Sequence, residues 1–227
     1  MDNDTLNKLK RRIFMMFPIS FLFLASILML SAWSLRFWQG WIFCFVIFIP
    51  IVFVVNYFAK HAPIFLERRM KYKEREMRQK AMMKISSYFT FLGLLIPGLD
   101  FRFGWSTVPV WLVLASDVII LASYFFVFIS FRENIHTIKT AGVFKRKIIV
   151  ETGPYGIVRH PMYAAFVPMF LFIPFALGSF WAVFAFFPIV TTVIFRILKE
   201  EKVMLRDLTN YKDYCKKVPY RLIPFVW

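Results

Sequence analysis

The chain contains only two cysteines, Cys44 inside an apolar run and Cys215 among lysines near the C-terminal end, so neither a disulfide framework nor a cysteine metal cluster follows. Of its histidines, His61 and His136 have no partners at ligand spacing and read as ordinary loop residues. Acidic residues are scarce, 13 against 29 Lys and Arg, for a net charge of +16. That excess does not indicate a nucleic-acid partner, because the basic residues lie between long apolar runs rather than along one polar face. No small-residue cleavage pattern follows the first apolar run, which is expected to be an anchor rather than a removed signal peptide. Internal and inverted repeats are missing too, which argues against a transporter. What is abundant is apolar surface: 59% hydrophobic residues and 30 Phe in 227 residues point to a membrane protein with no room for a large extramembrane domain.

Six apolar runs can be counted. Residues 13–33 and 37–59 each have the length that a bilayer core requires, about 20 residues. The densely charged segment 60–84 follows, read as an interfacial or solvated helix. Residues 85–99 form a shorter run, expected to be broken at Pro97-Gly98, with an outer loop carrying Asp100 and Arg102 before a full span at 108–131. A long polar connection is expected over 132–160. Two further runs, 162–176 and 180–197, are separated by Leu177-Gly178-Ser179, which is short enough to demand an antiparallel helical hairpin. The expected fold is all-α and polytopic, with residues 1–131 supplying N-terminal spans and residues 132–227 a core of loop, hairpin and charged tail.

With six spans, 27 of the 29 Lys and Arg fall on one side, leaving Arg36 and Arg102 on the other. The positive-inside rule then places both termini and the loop before the hairpin in the cytosol.

That loop is the most informative stretch. In Gly153-Pro154-Tyr155-Gly156-Ile157-Val158-Arg159-His160-Pro161-Met162-Tyr163, Pro161 lacks an N–H and suits a first helical turn, while it pushes His160 out of helical geometry. Arg159, His160 and Tyr163 then converge where free backbone N–H groups favour anionic or polar ligand groups. The hairpin returns Glu200-Glu201 to the same edge. Neighbours on a helix diverge by about 100°, so one carboxylate can face the loop while the other meets a cation. Tyr211, Tyr214 and Tyr220-Arg221-Leu222-Ile223-Pro224 bring aromatics and a cation back to it; an interfacial aromatic belt is the plainer reading of the tyrosines. Asp117, near the middle of the fourth span, is set aside because it falls towards the opposite end.

The order Gly153-Pro154-Tyr155, Arg159-His160-Pro161-x-Tyr163, hairpin, Glu200-Glu201, Tyr211, Tyr214, Arg221-Leu222-Ile223-Pro224 resembles the integral-membrane isoprenylcysteine carboxyl methyltransferases and their phospholipid-methyltransferase relatives. Residues 97–105 and Arg132-Glu133-Asn134 look like the prokaryotic branch. The resemblance implies S-adenosylmethionine in a cytosol-facing pocket. His160 and Tyr163 are carried over as cofactor-binding residues, with Glu200 or Glu201 on the methionyl ammonium and Tyr155, Tyr211 and Tyr214 lining the wall. Arg159 and Arg221 would orient the substrate carboxylate, or else neutralise the glutamates.

Methyl transfer to a carboxylate needs no general base, because the nucleophile is already ionised at neutral pH, and few polar residues suffice. An amine acceptor, as in phospholipid methylation, has to lose a proton, and only the glutamates and His160 could take it. The lipid acceptor is expected to enter from the bilayer. The ending Tyr214-Cys215-x-x-Val218-Pro219-Tyr220-Arg221-Leu222-Ile223-Pro224 also resembles NADPH-dependent sterol reductases. Their loop is followed by a polar stretch, whereas Ala164-Ala165-Phe166 follows here, and Glu200-Glu201 suits a cationic amino acid better than a phosphorylated dinucleotide. A non-enzymatic membrane scaffold is the reading of a different class.

Overall fold

The computed structural model describes residues 3–61, 80–140 and 149–227, with backbone alone for 3–14, 80–83 and 136–140. Most of the charged segment 60–84 and the His136 side chain lie outside the described residues. Seven α-helices and one 3-10 turn are described: α1 (Asn3–Ala32), α2 (Trp38–His61), α3 (Lys80–Phe103), α4 (Val110–Thr140), the turn Gly153–Gly156, α5 (Pro161–Ala176), α6 (Val183–Asp207) and α7 (Tyr211–Lys217). Among the described residues there is no strand.

The six long helices close into a ring of contacts in the order α1, α2, α4, α5, α6, α3 and back to α1. All six contribute to one core: Leu28 and Met29 of α1, Phe43 and Cys44 of α2, Leu94 of α3, Ile120 of α4, Met169 and Ile173 of α5, Phe186 and Ile189 of α6. Large apolar side chains also point outward, including Phe23, Ile49, Phe53, Val118, Phe125, Phe184 and Phe187. A bundle with apolar residues inside and outside suits a lipid surround. Three helical stretches, Met15–Ala32, Trp38–His61 and Val110–Ile135, are long and apolar enough to cross a membrane; Pro161–Ala176 is a shorter apolar helix.

The two ends of the bundle differ in chemistry. The connectors after α1, α3 and α5 share one end, which exposes Trp33, Trp105, Trp111 and Trp181. Arg102 lies over the Trp33 ring at 5.5 Å. There the Asp100 carboxylate is fully buried and accepts hydrogen bonds from the Ser106 N–H (2.7 Å), the Ser106 hydroxyl (2.5 Å) and the Ser179 hydroxyl (2.5 Å), tying the α3–α4 connector to the α5–α6 connector.

Two sequence expectations are corrected here. Pro97-Gly98 does not break its helix: α3 continues to Phe103, so Asp100 and Arg102 sit in its last turn rather than in a loop. Pro18, Pro50, Pro168, Pro174 and Pro188 are likewise inside helices, as membrane-type helices tolerate when neighbours restore the packing and the freed backbone groups find partners. Gly98 is a contact glycine rather than a breaker. A Cβ there would lie 1.8 Å from Ser31 Oγ and 2.7 Å from the Ala32 backbone nitrogen, so its bare backbone is what lets α3 cross α1. The second correction concerns 132–160, where α4 stays helical to Thr140 and the polar connection is correspondingly shorter. The expected α5–α6 hairpin is present, its turn closed by Gly178 at φ +72°.

Candidate active site at the charged end of the bundle

The 3-10 turn Gly153–Gly156 is set on α4. Gly153 has φ +57°, a conformation glycine adopts at little cost, and a Cβ there would stand 3.0 Å from Glu133 Cγ. The Glu133 carboxylate accepts from the Thr152 hydroxyl at 2.5 Å. The chain then passes Ile157 and Val158 and pairs with the tail: the Arg159 N–H donates to the Tyr220 carbonyl (2.9 Å) and the His160 N–H to the Arg221 carbonyl (3.0 Å). Pro161 opens α5, and His160, at φ −124° and ψ 62°, caps it outside helical geometry, as the residue preceding a proline is driven to do.

Glu201 is the centre of the arrangement. Its Oε1 accepts from Arg159 Nε at 2.8 Å and its Oε2 from Arg221 Nε at 2.7 Å. The Arg159 and Glu201 side chains are each 7% exposed. Arg159 Nη1 also donates to the Val218 and Pro219 carbonyls, both at 2.9 Å, so one buried guanidinium joins α6, the loop and the tail. Burial by itself raises the Glu201 pKa; the His160 imidazole, Arg221 and Arg159 outweigh it and hold the carboxyl at about 2. His160 Nε2 is buried and stands 3.4 Å from Glu201 Oε1, close enough to act on the carboxylate but outside strict hydrogen-bond geometry.

Glu200 behaves differently. One residue earlier on α6, it is half-buried and accepts from the Tyr163 hydroxyl at 2.8 Å, and its other oxygen takes no hydrogen bond among the described residues. The sequence reading allowed either glutamate to face the loop. The structure brings both to it, Glu201 closed in by cations and Glu200 open.

Tyr211 and Tyr214 are buried, not an interfacial belt, and pack with Val218, Ile149, Met204, Leu208 and Cys215. The Tyr214 hydroxyl donates to the Tyr155 carbonyl at 2.7 Å, fixing the 3-10 turn. Burial first, and then neighbouring negative charge, pushes both phenols well above the ordinary range. Lys217 pairs with Glu151 at 2.9 Å and clasps the tail at its rim. Tyr155 itself is half-buried at the edge of the turn.

Two residues escaped the reading of the sequence as site residues. Glu133 is the contact under Gly153, and Arg196 lies with its Cζ 5.9 Å from the centre of the Tyr163 ring. The signal for Arg196 was present in its four-residue spacing from Glu200, which puts both on one face of α6. Asp117 sits early in α4, towards the tryptophan end; it is buried with neither oxygen hydrogen-bonded. It takes no part in the cluster. Among the described residues no group of His, Cys, Asp and Glu could hold a metal ion.

No curated protein matches this chain. Residues 110–210 match a family model described as phospholipid methyltransferase, a stretch that runs from the start of α4 through the loop, the hairpin and Glu200-Glu201 and stops short of Arg221. Over these residues the chain is similar to the phospholipid methyltransferases, the family shared with the isoprenylcysteine-type membrane enzymes, and the match supports a membrane methyltransferase acting on lipid-related substrates.

Proposed function

We infer that the protein transfers a methyl group from S-adenosylmethionine to the carboxylate of a lipidic acceptor, such as an isoprenylated cysteine, with all six long helices in the bilayer and the cluster around Glu201 facing the cytosol. The observation that carries the reading is the division of labour between the two glutamates. Glu201 is held ionised by His160, Arg221 and Arg159 and organises the loop, while Glu200 offers an oxygen that takes no hydrogen bond among the described residues, beside the Tyr163 hydroxyl.

These groups fit the methionyl part of the cofactor: an ammonium for Glu200, and polar atoms for His160 Nε2 and the Tyr163 hydroxyl. Bound S-adenosylmethionine supplies a methyl group already activated on a sulfonium. The protein's own part is to hold, orient and desolvate. Arg159 is a positioning residue, since its guanidinium is occupied by Glu201 and two carbonyls. Arg221 holds Glu201 through Nε and lies over the Trp227 ring at 5.2 Å; its Nη groups take no hydrogen bond among the described residues and can still meet an acceptor carboxylate. Glu201, at about 2, is far too weak a base to deprotonate an amine near neutral pH. A carboxylate acceptor needs no such step, and orientation alone can contribute up to about 10 kcal/mol to the rate.

The description of the matched family favours a second reading, methylation of a phospholipid amine; His160 Nε2 would then be the group to take the proton. An NADPH enzyme has less support, because Glu201 already engages Arg159 and Arg221, two cations that a phosphorylated dinucleotide would need.

The test is calorimetric binding of S-adenosylhomocysteine and NADPH to the detergent-purified protein, followed by methyl transfer from labelled S-adenosylmethionine to N-acetyl-S-farnesylcysteine and to phosphatidylethanolamine. Selective S-adenosylhomocysteine binding with label in the farnesylcysteine ester is expected. Label in the phospholipid alone would shift the conclusion to the amine, and selective NADPH binding would overturn methyl transfer.

A further inference from the structure

Three arginines lie at the charged cluster, and two of them touch Glu201. Arg196 differs from both. It is exposed on α6, pairs with no carboxylate among the described residues, and lies against the face of the Tyr163 ring at 5.9 Å, within the range of a cation–π contact. Tyr163 therefore links two charged residues: its hydroxyl donates to Glu200, and Arg196 lies over its ring and acts electrostatically on the same hydroxyl. Four residues of helix set Arg196 about 6 Å back from Glu200, towards the apolar part of α6, next to the exposed Ile194 and Phe195. A cation in that position has lipid-facing apolar surface on one side and the open glutamate on the other.

We propose that Arg196 receives the anionic head of the lipid acceptor, so that Tyr163 stands between an acceptor anion at Arg196 and the cofactor's ammonium at Glu200. The assignment rests on the methyltransferase reading and names the part of the site that takes the substrate. The chemistry recognised is a single oxyanion at the end of an apolar chain, either the carboxylate of an isoprenoid acid or the phosphodiester of a phospholipid. A guanidinium suits both, because its fork can donate two parallel hydrogen bonds. Arg221 is less suited to the whole task, since its charge is already set against Glu201 at 2.7 Å. The competing role for Arg196 is plain snorkelling, in which its stem lies along lipid and its head meets any phosphate at the interface.

Binding of N-acetyl-S-farnesylcysteine and of its methyl ester to the full chain in nanodiscs separates these roles without requiring turnover. The acid should bind the wild type about tenfold to a hundredfold tighter than the ester, the difference expected of one charge-assisted hydrogen-bonded contact. In R196Q that preference should fall below about twofold, while S-adenosylhomocysteine affinity stays within about twofold of wild type. R196K should recover only part of the preference, and K199Q, which removes a nearby exposed cation, should keep all of it. Comparing phosphatidylethanolamine with diacylglycerol identifies the source: dependence on Arg196 there, and not with the farnesyl acid, assigns the anion to a phosphodiester. An acid preference that survives R196Q, or that the wild type never shows with either lipid pair, overturns the proposal. A parallel loss of S-adenosylhomocysteine affinity in R196Q also overturns it, by placing Arg196 in the support of Glu200. Failure of the wild type to bind S-adenosylhomocysteine at all is the separate result that removes the methyltransferase reading.

Discussion

Replacing Glu201 by Gln keeps the shape of the side chain and removes the charge that Arg159 and Arg221 share. A carboxyl held at about 2 against an ordinary 4.5 corresponds to about 3 kcal/mol of native-state stabilisation. That figure agrees with the 3–5 kcal/mol typical of losing one partner of a buried ion pair, and the 7% exposure of both Arg159 and Glu201 means that solvent screens it little. Because the folded-state pKa is depressed, the stabilisation is present in full above about pH 4.5 and is lost as the pH falls towards 2; at pH 3 about 2 kcal/mol of it is gone. For a chain of 227 residues each kcal/mol moves Tm by about 2–4 °C. E201Q should therefore melt about 6–12 °C below wild type at pH 6, and the gap should close to about 2–4 °C at pH 3. Tryptophan-fluorescence melts of the detergent-purified pair at both pH values measure this. A gap that stays constant between them would show that the loss comes from packing rather than from charge, and the account of Glu201 as an ionised hub would fail.

Gly98→Ala places a methyl group against Ser31 Oγ and the Ala32 backbone. Helices α1 and α3 must separate, and the loss should be at least the 1–3 kcal/mol usual for overpacking, read as lowered Tm with S31A giving no full rescue because the clash includes backbone. Tyr163→Phe removes only the hydroxyl on Glu200; S-adenosylhomocysteine should bind about 10–100-fold more weakly, the scale of one hydrogen bond to a charged group, with Tm within about 2 °C of wild type. A Y163F protein with unchanged affinity would show that Glu200 and Tyr163 do not meet the ligand together.

Much of the site was legible because its residues carry local constraints. Pro161 can only begin a helix and His160 must then lie outside one. The three residues Leu177-Gly178-Ser179 leave no alternative to a tight antiparallel return, so Glu200 and Glu201 had to come back to the loop. The apolar runs gave the long helices, since nothing but helix satisfies so many backbone groups within an apolar surround. The misreadings at Pro97-Gly98 and at Asp100 have a common cause. Whether a glycine breaks a helix or admits a neighbour depends on what lies across from it, and the neighbour of Gly98 is Ser31, 67 positions away in the chain.

Hydrophobic run length, proline chemistry and the asymmetry of Lys and Arg are enough to set the helices, the hairpin and the edge at which charge collects. Which glutamate is locked and which is open, that Arg159 serves Glu201 rather than standing free, that Tyr211 and Tyr214 are buried supports, and that Arg196 lies over Tyr163 emerge from how the helices and the tail pack. Those are matters of a few ångströms between segments distant in sequence, set by the rotation of α6 against α5 and by the return of the tail.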